Sequence, residues 1–344
     1  MRPVPAELPG PVLVVVPARN RRRLALQAVR SVLDQTYSDL RCLVVDDASA
    51  DGTAQALGAL GDPRLEVVVN EAPMGASAAR NLGLGAVKDE TWVAFLDSDD
   101  LWAPTKLEEQ LAALAANPGA GWAATACVNV SVGLDVLYAL RMHTGAGAGG
   151  SHCFEVGQLR AMLAEENALP AGSTTVMASA ALLAEVGGYD TGLTTCEDWD
   201  LWAKLARRAP LAYVDAPLAA YRIWSGQSSV DVAAFVRDAA RVRARHYAEL
   251  GPLPRSYAAR WQMEAGWRYV TAGRRGRAAA SYLRAAWLGR LPGQLAYAAA
   301  SLADPAAVHR RLDHAQRRGL LPGGWETQAR AWLAPYRQGP GLPS

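Results

Sequence analysis

The sequence predicts an α/β fold, a mostly parallel sheet flanked by helices, followed by an all-helical C-terminal region. Three observations predict it. Short apolar, β-branched runs alternate with stretches whose apolar residues recur at helical spacing, the pattern of βαβ units. Acidic residues stand just beyond the carboxyl ends of two of those runs, where open α/β sheets bind ligands. From Asp231 onward only helical periodicity remains. At 344 residues, 51% hydrophobic and 20% charged, the chain can bury a full core and has room for two domains, 1–230 and 231–344.

Val12–Val16 reads as a first buried strand, ended by Pro17. Leu24, Ala28, Val29, Val32 and Leu33 then mark one face of a helix. Arg41–Val45 is a second strand, Asp51–Leu60 a second helix and Leu65–Val69 a third strand. An Ala-rich helix over Ala76–Val87 precedes a fourth strand, Trp92–Leu96. Pro104 suits the first position of a helix carrying Leu107, Leu111 and Leu114 on one face. Gly121–Val132 and Leu134–Met142 predict a hairpin turning near Gly133, and Gly145–Gly150 a flexible loop. Thr174–Met177 is a short strand, and Ala180–Val186 a helix stopped by Gly187-Gly188. A helix over Glu197–Arg208 and strands over Leu211–Val214 and Leu218–Ile223 complete the sheet region. Helices are expected over Val232–Leu250, Arg255–Thr271, Arg277–Leu288 and Pro305–Arg318, broken by Gly and Pro.

The net charge of +2 conceals an asymmetry. Residues 1–230 hold 17 Lys+Arg against 26 Asp+Glu, and residues 231–344 hold 18 against 7. A basic helical region beside an acidic one points to different partners for each, an anionic acceptor or a membrane surface for the second. Ordinary solvated helix faces explain the same arginines. Cys42, Cys127, Cys153 and Cys196 show no C-x-x-C spacing, and Cys42 and Cys127 fall in strands as buried free thiols. The five histidines have no metal-ligand spacing. Met1–Gly10 carries three prolines and no apolar core, and no run of about 18 apolar residues follows. The expectation is a cytoplasmic protein without a transmembrane segment, with peripheral contact at the inner membrane face open to it. Nothing in the composition marks a nucleic-acid partner.

Four stretches carry the chemistry. Val44-Val45-Asp46-Asp47-Ala48-Ser49-Ala50-Asp51-Gly52-Thr53 places two acids at a strand's carboxyl end, where Asp47 can accept a pyrimidine N–H or ribose hydroxyls. Gly75 opens a helix whose N–H groups favour an anion, with Arg80 one turn in. Asp97-Ser98-Asp99 is a D-x-D tripeptide after the fourth strand. Two such carboxylates can hold a divalent cation beside a diphosphate. Gly187-Gly188-Tyr189-Asp190, followed by Glu197-Asp198-Trp199-Asp200, gathers acids at a helix start. Taken singly, capping explains each of these acids as well.

In this order and spacing the stretches resemble the family 2 inverting glycosyltransferases with the A-type (GT-A, Rossmann-like) nucleotide-sugar fold. The likeness covers about residues 11 to 230 and includes Val16-Pro17-Ala18-Arg19-Asn20, Leu33-Asp34-Gln35-Thr36-Tyr37 and Tyr221-Arg222. It implies that Pro17, Ala18 and Arg19 line the base pocket, that Asp47 contacts the nucleobase and that Arg80 and Ser98 lie against the nucleotide. It further implies that Asp97 and Asp99 bind Mn²⁺ or Mg²⁺ and that Asp198 is the general base. Glu197, Asp200 and Arg222 fall on the acceptor side. Arg19 departs from the family, which usually has an aromatic or small polar residue there.

The expected activity is transfer of one sugar from a nucleotide-diphosphate sugar to a hydroxyl of a cell-surface glycan or secondary metabolite, the acceptor being anionic or lipid-linked. A transferase acting on a peptide or protein side chain is the alternative, and a non-catalytic nucleotide-sugar-binding module is a third reading. The intact acids at 97, 99 and 198 speak against the third. Processive synthases of similar type carry Q-x-x-R-W, whereas Arg260-Trp261 follows Tyr257. A dehydrogenase is excluded, because no G-x-G-x-x-G follows the first strand. Trp261, Trp267, Tyr269, Trp287 and Trp332 are expected to pack helix against helix. Sugar, nucleobase and oligomeric state are not written in these motifs.

Overall fold

The computed structural model describes residues 10–142, 149–223, 232–250, 255–271, 273–290, 293–304 and 321–337. Ten strands form one sheet in the order β3-β2-β1-β4-β9-β6-β10-β5, with β7 on β6 and β8 on β10. The first four strands are parallel: β1 (Val12–Ala18), β2 (Leu40–Asp46), β3 (Leu65–Val69) and β4 (Trp92–Phe95). Helices α1 (Arg22–Leu33), α2 (Thr53–Gly58) and α3 (Ala76–Gly85) connect them, as the alternation predicted. All seven residues of β1 are buried. Leu13 and Val15 face one core, and Val12, Val14 and Val16 face the other. A strand covered on both faces reads as a continuous apolar run.

Beyond β4 the sheet becomes mixed. β9 (Val176–Ser179) lies antiparallel between β4 and β6 (Trp122–Val130), while β10 (Leu211–Arg222) returns parallel to β6. The predicted hairpin is present as β6 and β7 (Val136–Leu140). The two last predicted strands are one strand, broken in register between Val214 and Ala219. Thr174 sits not in a strand but in a 3-10 turn, Gly172–Thr175, ahead of β9. The helix expected from Pro104 is α4 (Lys106–Ala115), two residues later. In the sheet region three elements were not legible: β5 (Leu101–Trp102), β8 (Ser151–Phe154) and α5 (Val156–Glu165), the last with a Glu155–Gln158 capping box. The chain continues through α6 (Ala180–Glu185) and α7 (Glu197–Leu205).

The C-terminal part is helical, with α8 (Val232–His246), α9 (Arg255–Thr271) and α10 (Arg275–Gly289) where helices were expected, and with α11 (Gly293–Ala303) and α12 (Trp325–Arg337) where none was expected. The expected helix over 305–318, most of the Gly145–Gly150 loop and the expected boundary near 230 lie outside the described residues. α8 and α12 are built into the main core through Ala239, Val242, Trp325, Ala329 and Leu333. Tyr336 at the end of α12 donates to Asp34 at 3.0 Å, and its carbonyl accepts from Gln27 at 2.9 Å. By contrast, α9–α11 hold a small core of their own around Val270, Ala278, Tyr282 and Ala298. Trp332 packs as expected, but Trp287 is 74% exposed, so its expected packing role is corrected. Among the described residues no helix is long and apolar enough to cross a membrane.

Candidate active site

Arg80 is the centre of the site. Its guanidinium, 4% exposed, pairs with Asp97 at 2.5 Å and with Glu197 at 3.2 Å. Three segments far apart in sequence, α3, the loop after β4 and the start of α7, therefore meet at one cation. The Tyr189 ring supports that guanidinium from 5.1 Å. Tyr189 is fixed in turn by Asn81, whose side chain accepts from the Tyr189 N–H at 2.9 Å and donates to its carbonyl at 2.8 Å. Gly188 has a positive φ of 63°, and a Cβ there would lie 2.6 Å from the Asn81 side chain. The Ala79-Arg80-Asn81 and Gly187–Asp190 motifs are thus two halves of one contact.

The D-x-D loop is held from both sides. Asp99 pairs with Arg21 at 3.1 Å. Asp100 is buried, accepts from Thr174 Oγ1 at 2.5 Å and from the Arg222 N–H at 2.9 Å. Burial, then the charges of Asp99 and Asp97, push the Asp100 carboxyl well above the usual range. The Asp97 N–H donates to the same Thr174 hydroxyl at 3.3 Å. Asp97 and Asp99 keep the strand-end position predicted for them, and Ser98 is buried between them.

Asp198 and Asp97 line one cleft of about 720 Å³ together with Arg80 and Glu197. Its Oδ2 accepts from Asn167 at 3.0 Å and its Oδ1 from the Trp199 N–H at 2.7 Å. Burial raises its pKa against the pull of those two hydrogen bonds. Burial, then the Asp198 charge, also raises Glu197. A carboxylate displaced upward is better matched to proton transfer near neutral pH. Gly172, at φ 52°, packs against this group: a Cβ there would stand 2.6 Å from Asp198 Oδ2.

Three predicted residues serve the fold. Asp200 is fully buried and bonded to His246 at 2.7 Å, Lys204 at 2.8 Å and Arg245 at 2.9 Å. Burial opposes its ionisation, yet the His246 and Lys204 hydrogen bonds hold its pKa at about 2. It pins α8 to α7 and lies outside the cleft's lining, so its acceptor role is corrected. Arg222, 1% exposed, spends its donors on the Asp99 carbonyl at 2.8 Å, the Val132 carbonyl at 3.1 Å and Gln27 at 3.0 Å, a clamp on the D-x-D loop and not an acceptor contact. Asp47 accepts from Asn70 at 3.0 Å, Met74 N–H at 2.8 Å and Gly75 N–H at 2.9 Å. The Asp47 carboxylate thus shapes the loop before α3 without capping that helix. Pro17 and Ala18 are buried at the end of β1, Arg19 is exposed beyond it, and the Ala18 carbonyl accepts from the Asp47 N–H at 2.7 Å. Sequence reading missed Arg21, Asn167, Gly172 and Thr174, which form no periodic pattern and act only through distant partners.

Residues 13–140 match the family model for glycosyl transferase family 2. The chain carries a family 2 glycosyl transferase domain. Over 106 residues it is 37% identical to the UDP-Glc:alpha-D-GlcNAc-diphosphoundecaprenol beta-1,3-glucosyltransferase WfgD of Escherichia coli, covering 31% of this chain and 42% of WfgD. Over 100 residues it is 37% identical to the succinoglycan biosynthesis protein ExoO of Rhizobium meliloti, covering 29% and 28%. The chain thus spans less than half the length of these relatives. Likeness to solved structures spans nearly the whole chain. S. aureus TarS 1–349 in complex with UDP-GlcNAc aligns over 95% of this chain and 89% of its own, with TM-score 0.52 and 16% identity. Mannosyltransferase PcManGT from Pyrobaculum calidifontis, in complex with GDP-Man and Mn²⁺, aligns over 96% and 90%, with TM-score 0.52 and 22% identity. Both are GT-A proteins, and at these identities the likeness shows the fold alone.

Proposed function

We propose that the protein transfers one sugar, with inversion, from a UDP-sugar to a hydroxyl of a growing cell-surface glycan. The convergence of Asp97, Glu197 and Asp198 on one cleft around Arg80 carries this reading. The UDP-sugar donor is supported by the UDP-Glc that WfgD is named for and by the UDP-GlcNAc bound to TarS. On this reading Asp198 takes the proton of the attacking hydroxyl, Asn167 and Gly172 aim its carboxylate, and Arg80 sets Asp97 beside the leaving group. The sugar carbon becomes oxocarbenium-like as its bond to the diphosphate breaks.

The D-x-D pair fits a divalent cation. Asp97 opens to the cleft with a 27% exposed side chain, and Asp99 adds a carboxylate one residue on, held by Arg21. Among the described residues no group of three or more acids, histidines or cysteines surrounds a point. A cation here would take two carboxylates at most and complete its shell with phosphate oxygens and water, the habit of Mg²⁺ and Mn²⁺. When bound, it would stabilise the charge that develops on the diphosphate. Incubating the protein with a panel of UDP- and GDP-sugars and Mn²⁺ is expected to release UDP from one UDP-sugar selectively. Release from no nucleotide sugar, with or without a glycan acceptor, would count against transfer altogether.

A lipid-linked acceptor would bring the protein to a membrane, and its surface supports that contact. Of the seven large apolar side chains exposed among the described residues, Leu283, Trp287, Leu295 and Leu302 stand on α10 and α11. Exposed Arg274, Arg275, Arg277, Arg284 and Arg290 accompany them. Apolar side chains ringed by arginine suit the interface of an anionic bilayer. Co-sedimentation is expected with phosphatidylglycerol vesicles at low salt, weaker at high salt and weaker still for the pair Leu283→Ser, Trp287→Ser. Equal recovery with and without vesicles would remove the membrane from the account.

A further inference from the structure

The cleft that holds Asp97 and Asp198 does not run toward the nucleotide end of the sheet. Pro17, Ala18, Arg19 and Asp47 are absent from its walls. It runs toward the C-terminal helices, and its far wall is aromatic: Trp261 and Trp267 on α9, Tyr282 on α10 and Tyr297 on α11. Trp261 is rigidly held. Its ring meets Trp199, the residue after the base, edge-on at 5.5 Å, and its indole N–H donates to the Glu165 carbonyl at 3.1 Å. Tyr282 and Tyr297 pack on each other at 5.6 Å. Trp267 Nε1 is buried with no hydrogen-bond acceptor among the described residues. An indole N–H can only donate, so this atom suits an oxygen brought by a ligand.

The charges on the same walls define that ligand further. The lining carries four acids and two arginines. Arg80 is taken by Asp97 and Glu197, and Arg260 by Glu166 at 3.1 Å. An acceptor carboxylate or phosphate inside the cleft would meet acids with no uncommitted lining arginine. A sugar ring without charge meets none of that repulsion, presents C–H faces to the indole and phenol rings, and offers hydroxyls to Trp267.

We infer that α9–α11 form the acceptor subsite and that the reacting residue of the acceptor is a neutral pyranose seated against Trp261 and Trp267. The inference rests on the transferase reading above. Any anionic part of the acceptor stays outside the cleft, toward the basic helix surfaces.

The test uses the full chain with UDP and Mn²⁺. Saturation-transfer NMR would be run with the methyl glycosides of glucose, galactose and N-acetylglucosamine, and with methyl glucuronide as the charged counterpart. A neutral glycoside is expected to bind, and the glucuronide to bind at least tenfold more weakly. Trp267→Phe keeps the ring and removes the N–H, and should weaken the neutral glycoside several-fold. Trp261→Phe should do less than Trp261→Ala. UDP affinity of each variant should match wild type, and the two Phe variants should melt near it, whereas Trp261→Ala also loses its packing on Trp199 and is read by UDP affinity alone. No binding of any neutral glycoside, tighter binding of the glucuronide, or affinities indifferent to both tryptophans would overturn the subsite. Absence of UDP binding by the wild type would instead overturn the transferase reading itself.

Discussion

Replacing Asp198 by Asn is expected to lower sugar transfer by about 10² to 10⁴-fold, the usual worth of a positioned acid or base. The amide keeps the size of the carboxylate and can still meet the Trp199 N–H or Asn167, but it cannot take a proton from the attacking hydroxyl. Nucleotide affinity and melting temperature should stay near wild type, because Asp198 faces a cleft and not a packed core. Glu197→Gln is the control. Its carboxylate is committed to Arg80 at 3.2 Å, so its loss should disturb the site's geometry before its chemistry. The pH profile gives a second reading of the same group. Burial raises the Asp198 pKa, and the ionised form is the active one. The rate should therefore fall as pH drops through a value above the ordinary Asp range of about 4. The Asn167 hydrogen bond favours ionisation, so Asn167→Ala should move that fall to higher pH. A wild-type rate in Asp198→Asn, with a lost rate in Glu197→Gln, would move the base one residue back.

The largest loss of stability is expected at Asp200. This fully buried carboxylate joins α7 to α8 through His246, Lys204 and Arg245. Its pKa is held at about 2 in the folded protein against an ordinary 3.8. Each unit of such a shift corresponds to about 1.4 kcal/mol, so the ionised group stabilises the fold by roughly 2–3 kcal/mol. Removing one partner of a buried pair can cost more, about 3–5 kcal/mol. Asp200→Asn should thus lower the melting temperature by several degrees at pH 7. The group's pKa is depressed by folding, so its contribution is complete above about pH 4 and is lost as pH falls toward about 2. Wild type and Asp200→Asn should therefore converge in stability as pH falls through that window. Thermal unfolding at pH 7, 5 and 3 measures it; a constant gap across all three, or no gap at pH 7, would show that the carboxylate does not pin the helices.

Much of the frame was legible because it is periodic. β1 to β4 and their helices follow from apolar runs and spacings in Val12–Leu96, and Asp97 and Asp99 could be placed from the strand end alone. What escaped is not periodic. β5 is two residues long, and β8 follows a Gly-rich stretch that ends at Gly150. Asp200 and Asp198 are two residues apart on one helix, yet one is an anchor and the other faces the cleft. Only the position of His246, 46 residues on, decides this. Asp47 shows a further case: its place at a strand end reads as a nucleotide contact, and the distant loop before α3 uses its carboxylate. Trp261 and Trp267, which line the cleft, read in the sequence as helix packing, and Trp261 does pack on Trp199; stacking faces and packing faces have the same spacing.

The central claim is that a nucleoside diphosphate and a divalent cation meet at Asp97 and Asp99. Calorimetric titration of UDP into the protein, with Mn²⁺ and then with EDTA, tests it most directly. Because two carboxylates of the D-x-D loop would leave the rest of a cation's shell to the diphosphate, binding should be about tenfold or more tighter with Mn²⁺, a difference of about 1.4 kcal/mol or more. Asp99→Ala should remove the advantage while keeping the weaker metal-free binding. Equal UDP affinity with Mn²⁺ and with EDTA, unchanged in Asp99→Ala, would contradict the account.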